Sequence, residues 1–335
     1  MRRAWPRLKA GGLRLMLCGL AVVALLLLAA GLGVAQLWNR AAADDAPRIE
    51  VEIPRGASLG MAAGRLRAAG VIDHAGAFRL LARTLGGDRE IRFGTYAFPA
   101  GDGWGHILDR MQRGEVLTVS VTIPEGMPSI LVAERLNATP GLSGPPVVAP
   151  AEGSVLPDTY IARVGEERVE LLERMQQAMT DELERLWAKR SPATMVKTKA
   201  EAVILASIVE KESGLASERR RIAGLYSNRL KAGMPLQADP TVIYPVTKGR
   251  PLGRRILQSE LNADNGYNTY RMAGLPKGPI TNPGRESIEA VLNPEAGEAL
   301  YMVADGSGGH VFARTYAEHQ ANVAKWRAFR RDKGI

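Results

Sequence analysis

Leu15 to Leu37 reads LMLCGLAVVALLLLAAGLGVAQL, 23 residues without a charge. At about 1.5 Å per residue, such a helix crosses a hydrocarbon core of roughly 30 Å. The chain is therefore an apolar span followed by something that folds in water. Arg2, Arg3, Arg7, Lys9 and Arg14 precede the run, and Arg40 is balanced by Asp44 and Asp45 after it. Lys and Arg collect on the cytoplasmic side. That puts 1–14 in the cytoplasm as a basic tail, 15–38 in the membrane and the rest outside. A cleaved signal peptide ending near Gly33-Val34-Ala35 is the competing reading. Its apolar core would be longer than the usual stretch of about 7–15 residues, which favours an uncleaved anchor.

The same five cations supply more than half of the formal net charge of +9. Beyond them basic and acidic residues are mixed, and aromatics make up only 5 % of the chain. Neither a phosphate-binding stripe nor a base-stacking platform is called for, so nucleic acid is not an expected partner. One cysteine, Cys18, excludes a disulfide framework and a multi-cysteine metal site. Four histidines without HExxH spacing argue against a zinc hydrolase, and neither GxSxG nor SxxK serine chemistry has a match. No metal and no organic cofactor is expected.

Residues 39–47 form a short linker, after which a repeat appears. VEIPRGASLGMAAGRLRA (51–68) and VTIPEGMPSILVAERLNA (121–138) match at eight of eighteen positions. Each alternates apolar and polar residues into a Pro-x-Gly turn and then takes up helical spacing, predicting strand, turn and helix. The first copy continues with a helix over 77–85, a strand around 94–98 and a helix over 104–113. As a strand–helix–helix–strand unit, 48–117 resembles a LysM-type glycan-binding module. Residues 118–197 hold the second copy, a proline-rich loop over 139–157 and an amphipathic connecting helix over 166–189. There Val169, Leu172, Met175, Met179, Leu183 and Leu186 recur every three or four residues.

The most informative segment is Lys199 to Ser213, KAEAVILASIVEKES. At about 100° per residue, Ile204, Ile208, Leu205 and Val209 define an apolar arc centred near 70° from Ile204. Glu212 falls at about 80°, inside that arc, while Glu210 falls about 160° away on a face expected to be solvated. A carboxylate aimed at the core is costly unless paired or used. Desolvation raises its pKa, which suits a general acid at neutral pH. The plainer alternative is a helix end at which Glu212 curls out or pairs with Arg219-Arg220-Arg221. The next helix is expected to start with Ser217 as its cap and to end by Gly233.

Four separated stretches then become recognisable: IVEKESGLASERRRIAGLYSNRL, LQADPTVIY, YNTYRMAGLPKGPITNPG and ADGSGGHVF. Together with LPDTY at 156–160, they resemble the endolytic peptidoglycan transglycosylase family, often called YceG-like. The resemblance implies a bacterial inner-membrane protein with a periplasmic catalytic region over 198–335. It further implies an α+β architecture: one transmembrane helix, a LysM-like module, and a mostly helical, lysozyme-like catalytic domain with short β-hairpins. By the family's motif Glu212 is the single catalytic acid. The implied reaction cuts the bond between N-acetylmuramic acid and N-acetylglucosamine, leaving 1,6-anhydro ends and limiting strand length. The partners are peptidoglycan strands, with cell-wall synthases as candidates. Gln237, Asp239, Tyr267, Asn268 and Tyr270 are candidate substrate-binding residues, although Asp239-Pro240 equally fits a helix cap followed by proline. His310 is expected to do no more than cap a hairpin across 305–309. One departure stands out: Glu152-Gly153-Ser154-Val155 replaces the large apolar residue usual before PDTY. The rival reading is a non-catalytic wall-binding scaffold.

Overall fold

The computed structural model describes residues 10–87, 89–212 and 214–334. Most of the basic tail, and Ser213 at the end of the glutamate helix, lie outside the described residues. About half of the chain is helical, and the strands form three two-stranded sheets among the described residues. Helix α1 (Ala10–Asn39) contains the apolar run, and its side chains from Leu15 to Leu37 are all exposed. It is long and apolar enough to cross a membrane.

The chain divides into two units. The first ends at Thr118 and also includes Arg163–Gly165. In it β1 (Arg48–Ile53) turns Val51 and Ile53 inward and its charged residues outward. It is followed by α2 (Leu59–Ala68), α3 (Ala75–Leu85), β2 (Gly94–Pro99) and α4 (Trp104–Arg113). Strands β1 and β2 pair antiparallel with Val51 opposite Tyr96. Phe78 and Trp104 meet edge to face at 5.7 Å, and the buried Tyr96 hydroxyl donates to Arg92 O at 2.6 Å. Trp38, beyond the apolar run, packs against this core. A Cβ on Gly105 would stand 2.6 Å from the Trp38 ring nitrogen, so glycine is what lets the end of α1 settle there.

The second unit comprises Val119–Ala162 and Glu166 onward. The boundary falls after the first residue of β3 (Thr118–Thr122), which with α5 (Ser129–Ala138) forms the second copy of the repeat. The two copies make the same turn. Ala57 N donates to Pro54 O and Met127 N to Pro124 O, and Gly56 and Gly126 are both left-handed (φ 74° and 70°). Then come β4 (Thr159–Arg163), beside β3 in its sheet, and the long α6 (Arg168–Trp187).

Next, α7 (Lys199–Glu212) runs through the centre of the unit. It packs against α8 (Arg219–Lys231), α9 (Asp239–Thr247) and, after the short α10 (Gln258–Leu261), α11 (Arg285–Leu292). Ala202, Leu205, Ala206, Ile208 and Val209 of α7 have no measurable exposure. The antiparallel hairpin β5 (Tyr301–Ala304) and β6 (His310–Ala313) precedes the terminal α12 (Tyr316–Lys333).

Two expected caps are corrected. Ser217 does not cap α8: it lies in a 3-10 turn, Ala216–Glu218, and Glu218 precedes the helix without capping it. The Glu218 carboxylate is instead engaged by His310, through its backbone N at 2.7 Å and Nδ1 at 2.8 Å. Asp239 does not cap α9 either. It already lies in the first turn, and its side chain accepts from Tyr270.

Candidate active site

Glu212 is the last residue of α7, where the apolar face of the helix runs out against α8. Its carboxylate accepts a hydrogen bond from the hydroxyl of Tyr226, itself 1 % exposed on the inner face of α8. The rest of the carboxylate is shut in: Oε1 is shielded from solvent and has no hydrogen-bond partner among the described residues. Burial pushes the Glu212 carboxyl up to about 7, assisted by the nearby charge of Asp239. The Tyr226 hydroxyl, His310 and Arg229 pull the other way without overcoming burial. The result is a carboxyl that can hold or release a proton near neutrality.

Arg229, one turn beyond Tyr226, is 7 % exposed and has no carboxylate partner among the described residues. Its guanidinium donates to the carbonyls of Leu300 and Leu236, both at 2.6 Å, and of Pro235 at 3.3 Å. Tyr301 covers its face at 5.5 Å. Burial lowers the Arg229 pKa, yet the bonds to three carbonyls give the buried cation most of what water would. They also tie the start of the hairpin and the segment 235–237 to α8.

Beside Glu212 the LQADP and YNTY segments are laced together. Thr241 and Thr269 are both fully buried and share a hydroxyl–hydroxyl hydrogen bond of 2.8 Å. Thr269 also receives Ala238 N on its hydroxyl and Gln237 N on its carbonyl. Outside this knot the Tyr270 hydroxyl donates to Asp239 Oδ1 at 2.6 Å. Burial, then Asp239, raises the Tyr270 pKa, which keeps that hydroxyl a donor. Among the described residues, no group of three or more metal-binding side chains is gathered.

Glu210, expected on a solvated face, is instead covered, its side chain 6 % exposed. Gly284 N donates to its Oε2 at 2.8 Å, and the Arg219 guanidinium lies 3.7 Å from Oε1. Arg219 also holds Glu125 at 3.0 Å and pairs with Glu286. The helical wheel placed Glu210 away from the apolar arc correctly. It could not see that the 281–284 loop and the second Pro-x-Gly turn would close over that side.

A family model described as the YceG-like family matches residues 51–325, from β1 into α12. The chain belongs to the YceG-like family. Among similar proteins is the endolytic murein transglycosylase of Bacillus subtilis, 27 % identical over 324 residues, which cover 87 % of this chain and 88 % of that one. The endolytic murein transglycosylase of Streptococcus pneumoniae is 26 % identical over 325 residues. That alignment covers 83 % of this chain but only 58 % of the longer relative. A crystal structure of a YceG-like protein from Listeria monocytogenes aligns with a TM-score of 0.49 at 27 % identity, covering 83 % of this chain and 99 % of that chain.

In this YceG-like chain the five candidate binding residues divide. Asp239 and Tyr270 join the electrostatic neighbourhood of Glu212, and Gln237 Oε1 lies 3.5 Å from Arg229 Nη1. Asn268 is 1 % exposed. Its amide donates to the carbonyls of Glu260, Leu261 and Ala263, and its oxygen accepts from Tyr270 N. Its polar atoms are spent on folding the loop. Tyr267 packs on Tyr244 at 5.0 Å, with Lys277 over its face. Tyr244 in turn hydrogen-bonds Glu152.

Glu152, the residue of the departure before PDTY, also accepts from Ser129 N and Oγ at 2.9 and 3.1 Å, and burial raises its pKa. Sequence reasoning missed the parts played by Tyr226, Arg229 and Glu152. Nothing in the spacing of Tyr226 or Arg229 sets them apart from other residues of the helix that follows Glu212. Only the unusual EGSV stretch was a visible signal.

Proposed function

We propose that this chain is a membrane-anchored endolytic murein transglycosylase with Glu212 as its one acid and base. The observation that carries the reading is a buried carboxyl poised near neutrality within electrostatic reach of the exposed Asp239. The names of its relatives in Bacillus subtilis and Streptococcus pneumoniae support the substrate class. In the reaction Glu212 gives its proton to the glycosidic oxygen as the bond to the anomeric carbon of N-acetylmuramic acid breaks. The N-acetylglucosamine side leaves with a new hydroxyl, and positive charge grows at the anomeric carbon. The Glu212 carboxylate, held by the Tyr226 hydroxyl, then takes the proton of the muramic C6 hydroxyl. That oxygen closes onto the anomeric carbon, giving a 1,6-anhydro ring and restoring protonated Glu212. No water is consumed, so the second carboxylate of paired-carboxylate glycosidases has no task here.

Asp239 and Tyr270 hold the sugar beside Glu212, and Asn268 and Tyr267 act through the shape of their loop. Helix α1 anchors the chain in the inner membrane with its N-terminus cytoplasmic, leaving both units periplasmic within reach of cell-wall synthases. In the first unit a groove of about 530 Å³ runs between the Pro54–Ala57 turn and residues 89–93, lined by Arg83, Arg89, Phe93 and Gln112 among others. We assign that unit, with its LysM-like order of elements, to holding glycan. A scaffold without chemistry would have no use for a protonated carboxyl shielded at a helix end. Mass spectrometry of purified glycan strands after incubation with the protein tests the proposal. Internal cuts with 1,6-anhydro ends are expected, each lighter by one water than a reducing end. Uncut strands, or reducing ends alone, would refute it.

A further inference from the structure

Two constraints decide which atom of Gln237 faces the open side of the site. Its backbone is left-handed (φ 53°), a conformation shared by only one other non-glycine residue, Lys248, among the described residues. It is held there by Thr269, whose carbonyl accepts Gln237 N at 3.1 Å, and by the bond from Ala238 N to Thr269 Oγ1. Leu236 and Ala238 are buried while Gln237 and Asp239 are exposed, so both polar side chains leave the segment on its open side. Behind them Arg229 Nη1 reaches Gln237 Oε1 at 3.5 Å. A guanidinium has only donors, so the amide oxygen turns toward Arg229. The Nε2 hydrogens, without a partner among the described residues, face away from it.

The neighbours lack that polarity. An ionised Asp239 only accepts, and the Tyr270 hydroxyl is already given to Asp239. Gln237 is therefore the neutral donor on this edge, two residues from Asp239 and 3.5 Å from Arg229, both of which act on the Glu212 carboxyl. In an N-acetylated sugar the acetamido group sits on the carbon next to that centre, and its carbonyl needs such a donor. We propose that Gln237 is a specificity-determining residue that donates to the acetamido carbonyl of the sugar being cut, with Arg229 as the positioning residue that fixes the sense of its amide. The proposal rests on the murein transglycosylase reading and adds the group that is recognised.

The test compares kcat/KM of the full-length protein on N-acetylated strands and on the same strands after de-N-acetylation. Gln237→Gly removes the side chain and suits the left-handed backbone. Gln237→Glu keeps an acceptor for Arg229 but loses both N–H donors. Melting curves confirm that the two variants are folded. Loss of one neutral hydrogen bond is expected to cut the preference for acetylated strands about tenfold in both variants, through KM rather than kcat. If both variants keep the wild-type preference, the inference is wrong while the transglycosylase reading stands. If the wild type cuts neither substrate, the transglycosylase reading fails and takes the inference with it.

Discussion

Replacing Glu212 by Gln should remove activity and make the protein more stable, by an amount that depends on pH. In the folded chain burial moves the carboxyl from 4.5 to about 7. Between those values the folded state holds a proton that the unfolded state has released. Folding stability therefore falls as pH rises through this window and levels off above it. At about 1.4 kcal/mol per pH unit the full cost to the wild type is about 3 kcal/mol. Gln keeps the shape and still accepts from Tyr226, but never ionises, so it avoids this cost at every pH. The two proteins should be nearly equal near pH 4.5, and at pH 8 the variant should be more stable by about 3 kcal/mol. Glu152 and Glu125, whose carboxyls burial also raises, titrate alike in both proteins and cancel in the difference. Denaturant unfolding of both at the two pH values reads the effect directly. A difference that does not change with pH, or a wild type more stable at pH 8, would refute the account of Glu212 as a buried, protonated acid.

Four further outcomes follow from the geometry of the second unit. In the proposed reaction Glu212 starts protonated, so kcat/KM should fall above a pH of about 7. Asp239→Asn, by removing a charge that raises the Glu212 pKa, should move that limb to lower pH in a pH–rate profile. Glu210→Gln should weaken the bonds to Gly284 and Arg219 and cost about 1 kcal/mol in a melting experiment, while the folded protein keeps most of its cleavage rate. Gly224→Ala would put a Cβ 2.4 Å from the Glu295 carbonyl oxygen, a backbone atom. It should lose about 1–3 kcal/mol in denaturant unfolding.

The long apolar helix, the two strand–turn–helix copies and the glutamate helix could be read from residues alone. Each is a local pattern: an uninterrupted apolar run, an alternation broken by Pro-x-Gly, a 3.6-residue stripe with a carboxylate inside it. Such patterns survive because the burial they imply is repeated along one element. The caps were misread for the opposite reason. Ser217 and Asp239 have suitable side chains, but His310 and Tyr270 arrive from distant stretches and engage Glu218 and Asp239 at the helix starts.

What the sequence by itself determined is that Glu212 faces the core and Glu210 does not, since that depends only on helical period. Tertiary structure alone decided what that facing means. Tyr226 donates to the carboxylate because α8 packs on α7, and Asp239 adds its charge because α9 starts at the same helix end. Arg229 could be buried only where three carbonyls and the oxygen of Gln237 converge on it. Glu210 lost its water to a loop some seventy residues away. Desolvation and hydrogen-bond geometry arise from groups brought together by folding, and no spacing along the chain encodes which groups those will be.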